Sequence, residues 1–394
     1  IESGESVVQH HDVSSIEKAI IYIYGNDLII ANESDIFSAE SLNLTGNGNE
    51  IEITGSTEFA AQEHLVVNTP IRVLTNSKII FRTNGSLTIN KDIFSTSTID
   101  FIGNEDCVGS DIITIASGVT ITAPIINIRG SHISILGDLN FSTGNLYFEE
   151  YCSSGESIGI GGSDLSESMK IDYSVLSHFI GVYDTNKHIT FQSKFGHVNM
   201  YHVIQNLHMN FAQSCQIQIF AEKNVTFQSD ASSFYTLELE SNGGIIMNQD
   251  VNTTYGDLSL KFDSSNFIMT SNLSLYSAAV FSIVSNSDRL ILIDDEAILE
   301  SIDNLIINSE VRMVNDRDVF LISKKSIILY RNISTYGLLD THCNFNCENN
   351  GMLHIKNDST ISANSFDVKG GSINLEGWVK TISRGEDSVS IDLT

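Results

Sequence analysis

The chain has 394 residues, with 21 Lys and Arg against 49 Asp and Glu, a formal charge of −28 at pH 7. Cations this sparse exclude a nucleic-acid binder, because a phosphate backbone is held by clustered Lys and Arg that displace counter-ions, and they disfavour an anionic membrane surface. A hydrophobic fraction of 41% is too apolar for disorder, and no run of about 18 uncharged apolar residues is present to span a bilayer. The reading is a soluble, folded chain without membrane insertion.

The sequence starts at Ile1 rather than Met and lacks the basic-then-apolar pattern of a signal peptide, so it reads as a mature or excised segment. Two prolines and no Gly/Ser-rich or charged linker predict one continuous body. Residues 1–24 read as an N-terminal capping segment. Within it, Ser14 to Ile20 fits either a short amphipathic helix with a Ser14/Glu17 capping box or simply the first strand.

From residue 25 to 394 the chain repeats short alternations rich in Ile, Val, Leu, Phe and Thr, broken by Gly, Asn, Asp or Ser. NEIEITG from Asn49, GSLTIN from Gly85, PIINIRG from Pro124 and KNVTFQS from Lys223 are examples. The period is two and helical periodicity is nearly absent, which defines an all-β chain. Ile189, Leu207 and Val225 lie 18 residues apart, and Val198, Ile217 and Leu237 are spaced by 19 and 20. Interleaved strand sets at a fixed short period predict a single-domain parallel β-helix, or β-solenoid, of 18–20 residues per coil. About 20 coils, each rising about 4.8 Å, would make a rod of roughly 90–95 Å. The crossover rule predicts a right hand. Pro70 and Pro124 are expected at corners, where a missing ladder donor does no harm. No cap is visible at the C-terminus, where the alternation continues to the last residue, so the chain is expected either to have been cut within the solenoid or to stack end to end on another molecule.

The stretch from Ile158 to Ser193 carries Ile158-Gly159-Ile160-Gly161-Gly162, Met169 and Ile171, Leu176 and Phe179, Ile180-Gly181, and a closing strand from Ile189 to Phe191. It resembles a unit of the filamentous-haemagglutinin-like repeats of large secreted surface proteins. The resemblance covers about a tenth of the chain closely and about a third loosely. It implies an extracellular or cell-surface protein used as a stalk, adhesin or filament component.

Several constellations bear on chemistry. Asp294-Asp295-Glu296 and Gly196-His197 resemble parts of a polygalacturonase-like site, but Val198 follows the histidine and no Arg-x-Lys occurs. Adjacent strand residues also face opposite ways, so the two aspartates reach one substrate only from a turn. A pectate-lyase-like site needs an Arg beside calcium-binding acids, and spacing aligns none of Arg129, Arg289, Arg312, Arg317 or Arg331 with an acidic trio. Gly159 to Asp164 is similar to a calcium-repeat unit but occurs once. His178, His188, His197, His202 and His208 crowd one window, although His188 and His208 fall at non-equivalent positions of the 18-residue register.

Cys343 and Cys347 are spaced to close a small loop as a disulfide, with free thiols or a zinc half-site as the alternatives; Cys107, Cys152 and Cys215 complete an odd set. Nine Asn-x-Ser/Thr sequons, at Asn32, Asn43, Asn84, Asn140, Asn224, Asn252, Asn272, Asn332 and Asn357, permit N-glycosylation, although composition alone yields about seven. Tyr22, Phe148, Tyr151, Tyr183, Tyr201, Phe234, Tyr235, Tyr255, Tyr276, Tyr330 and Tyr336 are candidate stacking platforms for sugar rings.

The sequence therefore predicts a non-enzymatic extracellular structural solenoid without catalytic, metal or cofactor residues. It would act as a stalk, adhesin segment or filament subunit, self-associating end to end, with glycans as further partners. The alternative is a carbohydrate-active lyase or hydrolase, or a glycan-binding β-helix.

Overall fold

In the computed structural model, the described residues are all except 1–6, 10, 18, 24–27, 31–33, 47–49, 110, 142–143, 153–156, 163–164, 182–186, 210–214, 287–288, 344–350, 382–387 and 394. They form two compact units, Ile1–Gly196 with Gln205–Cys215, and His197–Ile204 with Gln216–Thr394. Each unit is a parallel β-solenoid, and helix is confined to the short turns Tyr173–Ser177 and Gln205–His208.

In unit 1 a coil runs through three strands, for example Ile51–Ile53, Thr57–Ala61 and Leu65–Asn68, before Ile71–Val73 begins the next. Equivalent strands pair in parallel one coil away and build three sheets, called here A, B and C. Ile71 sits between Ile51 and Ile93 in A, Phe81 between Phe59 and Phe101 in B, and Leu87 between Leu65 and Ile113 in C. Sheet A is eight strands deep and sheet C six. The period-two pattern sends alternate residues inward, where like stacks on like. Phe59, Phe81 and Phe101 are fully buried, with ring centroids 5.4 Å apart at each step, and Phe148 stacks on Phe191 at 5.6 Å.

Unit 2 repeats the plan with sheets F, D and E, as in Leu258–Phe262, Phe267–Met269 and Leu273–Ser277. Its inward ladder in sheet F runs Ile217, Leu237, Leu258, Phe281, Leu305, Ile327 and Leu353, all buried.

One open alternative is decided and two expectations change. The stretch from Ser14 is strand rather than helix: Val13–Ser15 and Ala19–Ile23 pair with the next coil, joined by a turn in which Glu17 N–H donates to Ser15 Oγ at 3.2 Å. The β-branched alternation of Ile21 and Ile23 outweighs the capping-box signal. The coil is also longer than 18–20 residues. Partners in sheet F are separated by 20 (Ile217 with Leu237) to 26 residues (Ile327 with Leu353), and in sheet B by 20 (Ile79 with Ile99) to 43 (Leu146 with Ile189). Finally, the 18-residue series was coincidental. Leu207 lies in a helical turn and is 66% exposed, Ile189 belongs to sheet B, and Val225 pairs instead with Val198. Insertions collect in corners, which lengthen independently, so strand registry survives while sequence spacing does not. Pro70 and Pro124 do lie at corners.

Candidate functional site

The outer face of sheet B in unit 1 carries a row of strand-borne charges. Two columns of outward residues run up it in register: Glu58, Ile80, Asp100, Asn127, Tyr147 and Thr190, and beside them Arg82, Ile102, Arg129, Glu149 and Gln192. Asp100 has a side chain only 2% exposed, yet it points away from the core, covered by Lys78 Nζ at 2.7 Å and by Asn127, whose Nδ2 donates to Oδ1 at 2.6 Å. Glu149 is held by Arg129 at 3.5 Å and Lys194 at 2.5 Å, and Glu58 by Arg82 at 3.1 Å. Tyr147 OH meets His188 Nε2 at 2.8 Å. A groove of about 190 Å³ opens between Asn127, Arg129, Tyr147, Glu149, Thr190 and Gln192. Chemically the face is a set of acid and base rungs whose bonds run from one coil to the next.

The same rule governs the corners. At strand entrances, Asn and Asp carbonyl or carboxylate oxygens accept a backbone N–H of the following coil. Asp92 takes Thr120 N–H at 2.8 Å, Asp257 takes Val280 at 3.0 Å, Asn272 takes Glu296 at 3.2 Å, Asn304 takes Ser326 at 3.3 Å and Asn332 takes Thr360 at 2.7 Å. At strand exits a buried hydroxyl donates to a corner carbonyl of the preceding coil: Thr83 to Glu63 at 2.8 Å, Ser277 to Gly256 at 3.3 Å, Ser301 to Ala279 at 2.8 Å. Each Asn or Asp bond satisfies a backbone N–H that the turn removes from the ladder, and the hydroxyls add a donor to corner carbonyls, of which Ala279 O also accepts Asp303 N–H. Close approach does the rest at Gly85, where a Cβ would collide with the Glu63 carbonyl.

The corner after Thr98–Ile102 is a nine-residue loop, 103–111, whereas the next coil turns in two residues, Gly130 and Ser131. A disulfide between Cys107 and Cys152, with Cα atoms 5.5 Å apart, ties that loop to the corner two coils on. Under it, Asn104 Nδ2 donates to the fully buried Ser131 Oγ at 2.8 Å. Buried Glu150 accepts Cys152 N–H at 2.7 Å and Ser193 Oγ–H at 2.9 Å. Burial, with help from the carboxylates of Glu105, Glu149 and Asp106, pushes the Tyr151 phenol well above its ordinary value, so it stays a donor toward Gly103 O at 3.5 Å. Sequence reasoning missed this bridge because the two cysteines are 45 residues apart and only coil registry brings them together.

The cysteine pair singled out from the sequence fares differently. Cys343 is a free, buried thiol in the hydroxyl ladder of sheet E, in register with Ser323, and burial pushes it up to about 12. Cys347 lies outside the described residues.

Of the sequons, Asn32 lies outside the described residues; Asn43, Asn84, Asn140, Asn224 and Asn252 are half-buried; and Asn272, Asn332 and Asn357 are exposed. Three of them, at Asn224, Asn272 and Asn332, have a structural source. A corner Asn, an inward apolar residue and an outward Ser or Thr spell Asn-x-Ser/Thr, as in Asn224-Val225-Thr226, where Asn224 Oδ1 accepts Gly244 N–H at 2.9 Å.

The histidines disperse to separate partners. His178 Nδ1 meets Asp138 at 3.0 Å, His202 Nδ1 donates to Ala231 O at 2.9 Å, and the His208 ring packs on Tyr173 at 4.1 Å. Burial and Lys223 lower the His197 imidazole below its usual range, so its Nδ1 accepts Asn224 N–H at 3.3 Å. Among the described residues no group of three or more His, Cys, Asp or Glu side chains converges. Asp294 and Asp295 do lie in a turn, where Asp295 pairs with Arg317 at 3.4 Å. Of the aromatic platforms, Phe148 and Phe234 are core residues. Tyr183 is not described, nor is the Tyr22 side chain. Tyr255, Tyr330 and Tyr336 are exposed, and Tyr255 stacks on Tyr235 at 4.6 Å. No described helix is long and apolar enough to cross a membrane.

Comparison of the chain with family models, with curated proteins and with solved structures finds no match.

Proposed function

We propose that this chain is a non-enzymatic, extracellular structural β-solenoid serving as a surface stalk, adhesin segment or filament subunit that associates end to end with further copies. The observation that carries the reading is the direction of its polar bonds. Ion pairs, corner Asn and Asp residues and buried hydroxyls run mostly from one coil to its neighbour, as in Lys325 with Asp303 at 2.7 Å and Lys261 with Glu238 at 3.2 Å. Side chains spent this way resist separation of coils, which is what a stalk under tension requires. The Cys107–Cys152 bridge suits an oxidising, extracellular compartment. The charge of −28 keeps such bodies soluble and responsive to divalent cations. Among the described residues, Asn272, Asn332 and Asn357 are the exposed sequons on which glycans would be carried.

Electron microscopy of the native material, with intact-mass analysis of the same sample, tests this. Fibres or surface projections, with mass above 43.3 kDa from glycans, are expected. Dispersed, unglycosylated monomers that degrade an acidic polysaccharide would overturn the reading in favour of a carbohydrate-active enzyme.

A further inference from the structure

Unit 2 carries a second groove, of about 430 Å³, at its successive corners between sheets F and D. It arises from uneven corner length. The corner at 286–289 has four residues, the next is Ser309 alone, and the two after it are 330–332 and 356–359. The single-residue corner leaves a notch below the longer corners 330–332 and 356–359, and its floor is fixed by the buried Ser309 Oγ donating to Arg289 O at 2.8 Å. A volume of this size falls in the range of about 300–1,000 Å³ typical of small-molecule sites.

The lining has a definite chemistry. Arg289, Arg331 and Asn357 carry donors, Glu310 and Asp358 carry acceptors, and Tyr330 is 41% exposed. Lys356 Nζ approaches that ring to 5.9 Å from its centroid. Charges of both signs meet here, the Arg289 and Arg331 guanidinium groups and the Lys356 ammonium against the Glu310 and Asp358 carboxylates, so donors and acceptors are interleaved around the ring. A half-exposed aromatic ring flanked by both donors and acceptors matches a ligand with an apolar C–H face and a rim of hydroxyls, each able to donate and accept. We propose that this groove is a binding site for a neutral saccharide, one or two hexose units stacked on Tyr330 with their hydroxyls shared between the arginines and Glu310 and Asp358. The sequons Asn332 and Asn357 lie on the same lining, so the sugar could come from a partner or from the chain's own N-glycan. The inference goes beyond the structural role above, which stands or falls separately on assembly and glycan mass.

Saturation-transfer NMR and calorimetry test it, with lactose and N,N′-diacetylchitobiose at millimolar concentration as probes. The full chain is prepared in a host that does not N-glycosylate and in one that does. Saturation transfer to at least one disaccharide is expected with the unglycosylated chain. Y330A should weaken binding about tenfold, the loss of one stacking contact, and E310Q severalfold. Y336A, an exposed tyrosine outside the groove, should leave binding unchanged. Binding that persists in the glycosylated chain assigns the site to a partner's sugar. Binding that is lost there and restored by endoglycosidase assigns it to the chain's own glycan. No transfer to either disaccharide, or unchanged affinity in both Y330A and E310Q, overturns the proposal. Thermal melts of each variant establish folding, and E310Q alone decides the matter if Y330A does not fold.

Discussion

Unit 1 places a nine-residue corner, 103–111, directly beside a two-residue one, Gly130 and Ser131, whereas the corners between sheets F and D of unit 2 stay between one and four residues. The chemistry differs accordingly. Unit 1 pins its long loop with the Cys107–Cys152 bridge and stacks Phe59, Phe81 and Phe101 beneath the same sheet. Unit 2 relies on repetition: Thr253, Ser277, Ser301 and Ser323 occupy equivalent exits in sheet E and hold the turns with hydroxyls. An irregular coil is thus held by strong local devices, and a regular one by many weak identical bonds. The contrast predicts localised damage in unit 1 and graded damage in unit 2.

The largest effect is expected from Phe81→Ala, which removes the middle ring of the stack and opens a cavity costing about 3–5 kcal/mol. Hydrogen exchange should show the loss centred on residues 57–102 with unit 2 protected; a uniform loss over both units would contradict independent local cohesion. Next comes C107S/C152S, expected to cost about 2–4 kcal/mol, with exchange rising in 103–111 and 151–157 only. A smaller change, about 1 kcal/mol, should follow Ser301→Ala, which leaves the Ala279 carbonyl without its hydroxyl partner. Ser323→Ala should cost the same and add to it, as expected for separate rungs; strong coupling between the two would mean that the ladder acts as one unit.

Cys343 produces no effect near neutral pH. Its folded thiol is raised from 9.0 to about 12, so its contribution is fully present below the unfolded value. It fades as the pH rises through 9 toward 12, because only the unfolded chain then releases the proton. Denaturant titrations at rising pH should show this decline in the native chain and less of it in Cys343→Ser. Native Cys343 should also resist alkylation until the chain unfolds.

Much of this architecture was legible in the sequence, and the illegible part has a common cause. Alternation such as Asn49 to Ile53 declares inward Ile51 and Ile53 directly, and Pro70 marks its corner because proline has few other places in a ladder. Coil length was not legible, since corners insert freely and the spacing of Ile189, Leu207 and Val225 imitated a repeat across a helical turn. Strand or helix at Ser14 stayed open because capping-box and alternation signals overlap within seven residues. The Cys107–Cys152 bridge and the Arg289, Glu310, Tyr330 groove each join residues one or two coils apart, and only the true register brings them together. The sequons were legible as a pattern but not, at Asn224, Asn272 and Asn332, as a consequence of corner Asn chemistry, which emerges once these three are seen holding the next coil.

The most direct test of a mechanical role is single-molecule pulling of the native chain between its ends, before and after reduction. The account predicts stepwise unwinding, each step releasing roughly 20–25 residues as one coil detaches. Reduction should add about 15 nm of contour length from the 45-residue span between Cys107 and Cys152. A chain that extends smoothly at low force, with no coil-sized steps and no change on reduction, would contradict the claim that its polar side chains hold coil to coil.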